Sequence, residues 1–353
     1  MIPQGVGAPP TPRMDAKRRK LMCIKVRMLD DTVGVFHLGH RALGKSLFDE
    51  VCRHLNLLEC DYFGLEFRDF MGERCWLEKE KSILKQITNA KSDARFYFLV
   101  KFCPACPADL EEEYTRYLFA LQIKRDLANG LFICNENTAA LMASYIVQSE
   151  CGDYSPEDYP DHSYLSSGRF IPNQSAEFER KVMENHKKLI GMMPSDSDIA
   201  LLETARRCEF YGVRFHLAKD IEGTPVSLTV LHLGIKVYHQ LTCANTFSWA
   251  KIRKLSFKRK KFFIKLHPES YAYYKDTIEF VLESRNECKN LWKKCVEHHA
   301  FFRCTEVNLP KQHAKLFTRG SSFRYHMFCS CYIEYFVLGV DSSALLPASA
   351  RIK

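Results

Sequence analysis

This chain does not keep one hydrophobic period, and the order in which the period changes limits the folds open to it. Apolar and polar residues alternate from Leu21 to Met28, with Met22, Ile24, Val26 and Met28 set against Cys23, Lys25 and Arg27. Leu29-Asp30-Asp31-Thr32 predicts a turn and Val33 to Leu38 a returning strand. Ser46 to Leu57 then repeats at helical spacing, with Leu47, Val51 and Leu55 on one stripe. Short strands near Gly64–Asp69 and Trp76–Leu77, and a strong one over Ala94–Phe102, complete a small α+β unit.

From Leu110 the pattern turns helical. Leu110–Leu127 carries Tyr114, Tyr117, Leu118 and Leu121. Thr138–Ser149 carries Leu141, Tyr145 and Val147 or Ile146, and Ala176–Ile190 follows a loop holding Pro156, Pro160 and Gly168. Ser195–Tyr211 turns Ile199, Leu202, Ala205 and Cys208 inward and stops at Gly212. These segments predict an all-α bundle. From Val226 the period returns to two, through Val226–Leu233, Gly234–Leu241, Thr246–Trp249 and Asp276–Leu282. Ser284-Arg285-Asn286-Glu287 is a capping box. The helix it opens has an inward stripe of Cys288, Leu291, Trp292, Cys295, Val296, His299 and Phe302. An antiparallel sheet closed by one C-terminal helix is the outline of a pleckstrin or phosphotyrosine-binding fold.

Charge is concentrated in one place. Residues 251–265 hold eight Lys or Arg and no acid, while the whole chain is only +9. The segment reads as a hairpin, with strands Ile252–Phe257 and Phe262–Leu266 and Lys258-Arg259-Lys260-Lys261 at the connection. Phe262, Ile264 and Leu266 share the core face, and Phe263 and Lys265 point away. Two readings stand side by side: lysines that protect an exposed sheet edge, and a surface for an acidic partner such as anionic lipid, nucleic acid or an acidic protein. Lys254, Lys258, Arg259, Lys260 and Lys261 are the candidate residues for such a surface.

Catalytic signatures are missing. Gly39-His40-Arg41-Ala42-Leu43-Gly44-Lys45-Ser46 matches the phosphate-loop pattern between a strand and a helix. Its interior is bulky, however, and its strand belongs to an antiparallel hairpin rather than to a parallel sheet. There is no GxSxG, HExxH or kinase-type glycine loop. Cys103 and Cys106 form a single CxxC with no second pair, and His298-His299 reads as a surface and core pair, so no metal or other cofactor is expected. The fifteen cysteines are irregularly spaced and read as reduced, mostly buried residues of a cytosolic chain.

Local sequence adds a family likeness. Asp61-Tyr62-Phe63-Gly64-Leu65, Trp76-Leu77 and Lys81-Ser82-Ile83 resemble the first lobe of band 4.1-type proteins. Glu112-Glu113-Tyr114-Thr115-Arg116-Tyr117-Leu118, Gln148-Ser149-Glu150-Cys151-Gly152-Asp153-Tyr154 and Tyr211-Gly212-Val213 resemble the second, and the run from Trp292 to Arg303 the closing helix of the third. Over about residues 21–304 the chain resembles a FERM domain. The run from Asn245 to Lys260 looks like the FARP branch, whose members carry RhoGEF and pleckstrin domains after the FERM domain, with the FRMD adaptors nearly as similar. Cys103, Leu201 and Cys208 depart from the family pattern as apolar swaps that leave the fold intact.

The resemblance implies a multi-lobed α+β cloverleaf: a disordered stretch over 1–20, a ubiquitin-like lobe over 21–104, a helical lobe like acyl-CoA-binding protein over 105–214, and a pleckstrin/PTB-like lobe over 215–304. Residues 305–353 would be a partial FERM-adjacent segment, beginning with Arg319–Tyr325, and a divergent tail. Met327–Val340 reads as a weak interfacial anchor, with palmitoylation at Cys329 or Cys331 as a further option. The likeness further implies a non-catalytic adaptor, cytoplasmic and peripheral on the inner plasma membrane. Its partners would be acidic phosphoinositides, cytoplasmic tails of membrane proteins, cortical actin and small-GTPase pathway proteins. A tail would add as a strand in a groove of Phe262, Phe263, Ile264, Lys265 and Leu266 against Asn290–Lys294, with Asn290 and Lys294 as its helical wall. The alternatives are a regulatory FERM module of a Rho-family exchange factor in short form, and a nucleic-acid-binding or nuclear-imported basic protein. Against that last reading, Phe262 and Ile264 are better used as core than as base-stacking platforms.

Overall fold

The computed structural model describes residues 21–69, 72–87, 95–268 and 277–303. The expectations for residues 1–20 and for the stretch that includes Arg319–Tyr325, Met327–Val340, Cys329 and Cys331 lie outside the described residues. In the first lobe, β1 (Leu21–Arg27) and β2 (Val33–Gly39) pair antiparallel residue for residue. Asp31 turns the chain between them at a left-handed φ of 67°, and the Asp30 carboxylate accepts from the Thr32 N–H and hydroxyl at 3.1 and 2.7 Å. Helix α1 (Gly44–His54) lays Leu47, Phe48, Val51 and Cys52 on the sheet. With β3 (Phe63–Arg68), β4 (Arg74–Trp76) and β5 (Arg95–Val100) the strand order is β2-β1-β5-β3-β4, β5 running parallel to β1. The short helix α2 (Ile83–Gln86) is tied back to the chain after β4 by Gln86, which accepts from the Glu78 N–H at 2.8 Å.

The second lobe is α3 (Glu113–Ala128), α4 (Glu136–Cys151), α5 (Ala176–His186) and α6 (Pro194–Arg206). Their starts are set locally: Asn135 accepts from the Thr138 N–H at 2.8 Å, Ser175 from the Phe178 N–H at 3.1 Å, and Pro194 opens α6. Two faces differ from expectation. On α3, Tyr114 and Tyr117 are 39% and 40% exposed, and the buried face is Thr115, Leu118, Phe119, Gln122, Ile123 and Asp126. Polar residues point inward there because they bond partners beyond the helix. Gln122 accepts from the Val100 N–H at 3.2 Å and donates to Asp126 at 3.0 Å, and Arg214 holds both Asp126 oxygens at 3.0 and 2.8 Å. On α6, Ile199 is exposed while Asp198, Leu201, Leu202 and Ala205 are buried.

The third lobe contains β6 (His216–Lys219), β7 (Pro225–Leu231), β8 (Gly234–His239), β9 (Thr242–Ser248), β10 (Ile252–Lys258), β11 (Lys261–Leu266) and β12 (Thr277–Val281). Its strand order is β10-β11-β12-β6-β7-β8-β9. The four-residue β6 has no readable period, so each later strand stands one place further along than the sequence suggests. Helix α7 (Arg285–Arg303) closes the sheet. The Ser284 hydroxyl accepts from the Glu287 N–H at 3.0 Å, as the capping box predicts, and Cys288, Leu291, Cys295, Val296 and His299 are buried.

Candidate functional site

The basic hairpin forms as the sequence predicts, with tighter ends. Its turn is two residues, Arg259 and Lys260, and Arg259 takes a left-handed φ of 56°. The irregular first strand has a cause: a bulge at Arg253 separates the Ile252–Leu266 pair from the Lys254–Lys265 pair. Beyond it, Lys254, Ser256 and Lys258 share the outer face with Lys261, Phe263 and Lys265, while Phe262, Ile264 and Leu266 are buried. Phe263 stands opposite Ser256 in the middle of this face. Lys254 faces Lys265 on one side of it, and Lys258 faces Lys261 on the other. Lys258, Arg259, Lys260 and Lys261 are exposed, and Lys261 also bonds Glu279 of β12 at 2.5 Å.

Like charges directly opposite on neighbouring strands are destabilising by a few tenths of a kcal/mol and more. Edge protection explains Lys254 and Lys258, because β10 is an edge strand. It does not explain Lys261 and Lys265, because β11 is paired on both sides.

The same topology corrects the expected peptide groove. Phe262–Leu266 is β11, whose two edges are occupied by β10 and β12, and three of its five groove side chains are buried in the core. Asn290 and Lys294 face elsewhere: Asn290 donates to the Arg74 carbonyl at 2.7 Å, and Lys294 lies near Glu66 and Cys75 of the first lobe. The strand that borders α7 with an outer edge is β10. The Trp292 indole N–H donates to the Leu255 carbonyl at 3.1 Å, and the Trp292 and Phe257 rings lie 5.4 Å apart. The misplacement follows from the uncounted β6.

A second basic surface was not legible in the sequence. Between the first lobe and α7 lies a cleft of about 390 Å³ whose walls include Lys81, Lys85, Lys289, Lys293 and Lys294. Glu78 binds Lys81 at 2.6 Å and Lys293 at 2.5 Å. The neighbouring Lys293 charge holds the Lys289 ammonium below its ordinary pKa, and burial does the same to Lys294. The sequence placed Lys294 on the wall of a peptide groove, and only the meeting of two lobes sets it with Lys289 and Lys293 in a cleft.

Comparison with known proteins accords with these three lobes. Residues 26–89 match the FERM N-terminal domain, 106–216 the FERM central domain and 220–310 the FERM C-terminal PH-like domain. The chain belongs to the FERM family. It is 49% identical over 315 residues to FERM, ARHGEF and pleckstrin domain-containing protein 2 of Mus musculus, covering 89% of this chain and 29% of that protein. It is 50% identical over 305 residues to FERM domain-containing protein 7 of Homo sapiens, covering 86% and 42%. The chain therefore spans less than half the length of either relative. Among solved structures, the FERM and C-terminal domain complex of Drosophila Merlin superposes with a TM-score of 0.72 at 28% identity, over 80% of this chain and 97% of that one.

Within this FERM domain the phosphate-loop pattern is used for packing. The amides that would wrap a phosphate are bonded to backbone: Gly44 N–H to the Lys81 carbonyl, Lys45 N–H to Lys79 and Ser46 N–H to Leu43, at 2.8, 2.8 and 3.0 Å. Gly44 is required because a Cβ there would sit 2.4 Å from the Glu78 carbonyl. His298 and His299 are both buried, in place of a surface and core pair. Burial in contact with Phe102 pushes the His298 imidazole down to about 3. The cysteines are less buried than expected: of the described ones, Cys52, Cys288 and Cys295 are buried and Cys23 and Cys151 exposed. No described helix is long and apolar enough to cross a membrane.

Proposed function

We propose that this FERM domain is a membrane-cortex adaptor whose basic hairpin binds anionic lipid headgroups, phosphoinositides above all. The observation that carries the reading is the placement of Lys261 and Lys265 on the interior strand β11, opposite Lys258 and Lys254. Repulsion across the strands is retained where edge protection has no use for it, and an anionic surface would relieve it. Phe263, at the centre of the four lysines, supplies an apolar contact at headgroup depth. Each basic residue near an anionic leaflet contributes roughly 1 kcal/mol, so Lys254, Lys258, Lys261 and Lys265 together reach about 4 kcal/mol, less what Lys261 gives to Glu279 and Lys265 to its own partner. Arg259 and Lys260 at the turn extend the same face.

The test is co-sedimentation with phosphatidylcholine vesicles, with and without phosphatidylinositol bisphosphate, at physiological salt. Replacing Lys254, Lys258, Lys261 and Lys265 by Ala should weaken lipid-dependent binding by about 100- to 1000-fold while the melting profile stays near native. Undiminished binding of that variant would sink the hairpin reading. The interlobe cleft is a second site for the same headgroup chemistry, favoured by the depressed Lys289 pKa beside Lys293. Loss confined to a Lys85→Ala/Lys289→Ala variant would place the lipid there. Displacement of vesicles by a single-stranded oligonucleotide at the same salt would favour the nucleic-acid reading instead.

For cytoplasmic tails the groove moves to β10 and α7. The Arg253 bulge and the Trp292–Leu255 bond leave the Ser256–Lys258 stretch of β10 for main-chain pairing. The ARHGEF and pleckstrin domains named in the murine relative support a further role as a regulatory module beside such domains in a longer protein. Links to cortical actin and small-GTPase pathways belong to the same reading.

A further inference from the structure

An edge strand presents a row of unpaired N–H and C=O groups, and proteins defend such edges with short strands, charges, prolines or bulges. Among the described residues the two sheets have four edge strands: β2 and β4 in the first lobe, β10 and β9 in the third. Three are defended. β4 is three residues long. β9 is bulged where it faces Val237 and Tyr238. β10 carries Arg253, Lys254 and Lys258, a bulge, and the Trp292 indole on its Leu255 carbonyl.

β2 has none of these devices. Its seven residues, Val33 to Gly39, include no Lys, Arg, Asp, Glu or Pro, and its register with β1 is unbroken. No strand lies on its outer side among the described residues. Val33 and Val35 are 57% and 50% exposed on one face. On the other, Phe36 and Leu38 are half-buried against the first core, and the His54 ring of α1 meets Phe36 edge-on at 5.7 Å.

We propose that the β2 edge docks an extended segment of a partner protein, apolar at alternate positions and acidic at the end that meets Arg41 and Lys45. The segment would add as an antiparallel strand, its main chain satisfying the outer amides and carbonyls of β2 and its side chains covering Val33 and Val35 on one face and Phe36 and Leu38 on the other. Charge selects this occupant. Arg41 is exposed and Lys45 half-exposed at the Gly39 end, and neither makes a salt bridge among the described residues. Acidic groups nearby are already engaged: Glu50 bonds Arg53 at 2.8 Å, Asp31 bonds Arg27 and Arg125, and Asp49 lies on the Cys52 and Lys79 side of α1. A second copy paired antiparallel would set its Asp30–Asp31 turn against Arg41, but Asp31 is held by Arg27 and Arg125 and Asp30 by the Thr32 N–H and hydroxyl, which argues against self-pairing.

The test is hydrogen–deuterium exchange on the full chain with a synthetic ten-residue probe. The probe alternates Val and Ser and begins with Asp-Asp, which antiparallel addition sets against Arg41 and Lys45. Exchange over Val33–Gly39 should slow by about tenfold, while the same peptide beginning with Lys-Lys leaves it unchanged. In an Arg41→Glu/Lys45→Glu variant, which breaks no salt bridge among the described residues, the preference should reverse, so that the lysine peptide protects β2. Equal protection by both peptides, or protection confined to other strands, would overturn the proposal. So would β2 protection without peptide that grows with protein concentration, which marks a second copy. Peptide-independent protection abolished by removing residues 304–353 would overturn it as well, by assigning the edge to this chain's own segment.

Discussion

Tyr62 and Phe63 of the first lobe touch Phe119 of the second at ring-centroid distances of 5.8 and 5.5 Å, inside one apolar core that runs from Ile24 to Tyr211. The third lobe keeps a core of its own, built from Leu228, Ile235, Phe262, Ile264 and the inner face of α7. Polar contacts fasten it to the first lobe: Lys101 with Glu297 at 3.1 Å, Lys293 with Glu78 at 2.5 Å, and Asn290 with the Arg74 carbonyl. A small aromatic cluster at the end of α7 also joins them: Phe102 meets Phe301 at 4.2 Å, His298 at 4.9 Å and Phe302 at 6.1 Å, and Tyr62 meets Phe301 at 5.6 Å. Sequence divides the chain into three lobes; packing divides it into a fused pair and a fastened third. A fused apolar interface cannot open without exposing core, whereas charged contacts exchange for water at small cost. Both basic surfaces, the hairpin and the cleft, belong to the fastened lobe or its border.

The largest effect tests the fusion itself. Phe119→Ala removes the ring that Tyr62 and Phe63 share and should cost about 3–5 kcal/mol. The destabilisation should appear equally in the exchange of α3 and of β3, because the two lobes share the lost contact. If β3 kept its native protection while α3 lost it, the first two lobes would be separate units and the contrast would collapse.

Next in size is a pH effect with opposite signs in the two regions. Asp198, on the buried face of α6, has its carboxyl pushed up to about 6, mainly by burial, with Glu113 and Glu150 adding repulsion against the Ser149 hydrogen bond at 3.2 Å. Its folded pKa lies above the ordinary 3.8, so the folded state binds the proton more tightly. Stability is then lost as pH rises from about 4 to 6 and stays level above. His298 is the reverse: burial holds it near 3, the unfolded chain takes up the proton near 6.5, and stability present above 6.5 is lost as pH falls. Asp198→Asn should therefore stabilise the fused pair by about 1–3 kcal/mol at pH 7. The variant should also remove the downward slope of α6 exchange stability between pH 4 and 6 and leave the upward slope of α7. An unchanged α6 slope would show that another group in the helical lobe carries the titration.

Much of the fused pair is written in local pattern. Met22–Met28 alternation sets β1, and Asp30-Asp31 sets its turn. Asn135, Ser175 and Pro194 set helix starts, and the Cys288–His299 stripe sets α7. Pattern reading failed where residues serve a neighbour in space. Gln122 and Asp126 point inward because they bond Val100 and Arg214, so a search for apolar inward positions rotates α3 onto Tyr114 and Tyr117. β6 is four residues held by pairing with β7, too short to show a period, and its omission shifted the expected groove from β10 to β11. For the hairpin, the run of cations was legible, but the distinction that matters, edge strand against interior strand, depends on β12 pairing beyond it. The cleft was invisible because its lysines come from α7 and from the Lys81–Lys85 stretch, about 200 positions apart in sequence.

The smallest effect tests the fastening. Glu78 and Lys293 join the first lobe to α7 with side chains about one-third exposed, and Lys81 shares the same carboxylate at 2.6 Å. Exposed pairs of this kind couple by roughly 0.2–1 kcal/mol, and a second cation on the same acid lowers the loss when one is removed. A double-mutant cycle of Glu78→Gln and Lys293→Met, read by chemical denaturation, should give a coupling below about 1 kcal/mol that shrinks further at 0.5 M salt. The single Lys293→Met change also relieves Lys289 of its nearest like charge, so the Lys289 pKa should rise toward its ordinary value. A coupling above about 2 kcal/mol, insensitive to salt, would mean that this contact is desolvated as the Phe63–Phe119 contact is. The third lobe would then be fused rather than fastened, and a cleft that cannot open would leave the hairpin as the better lipid surface.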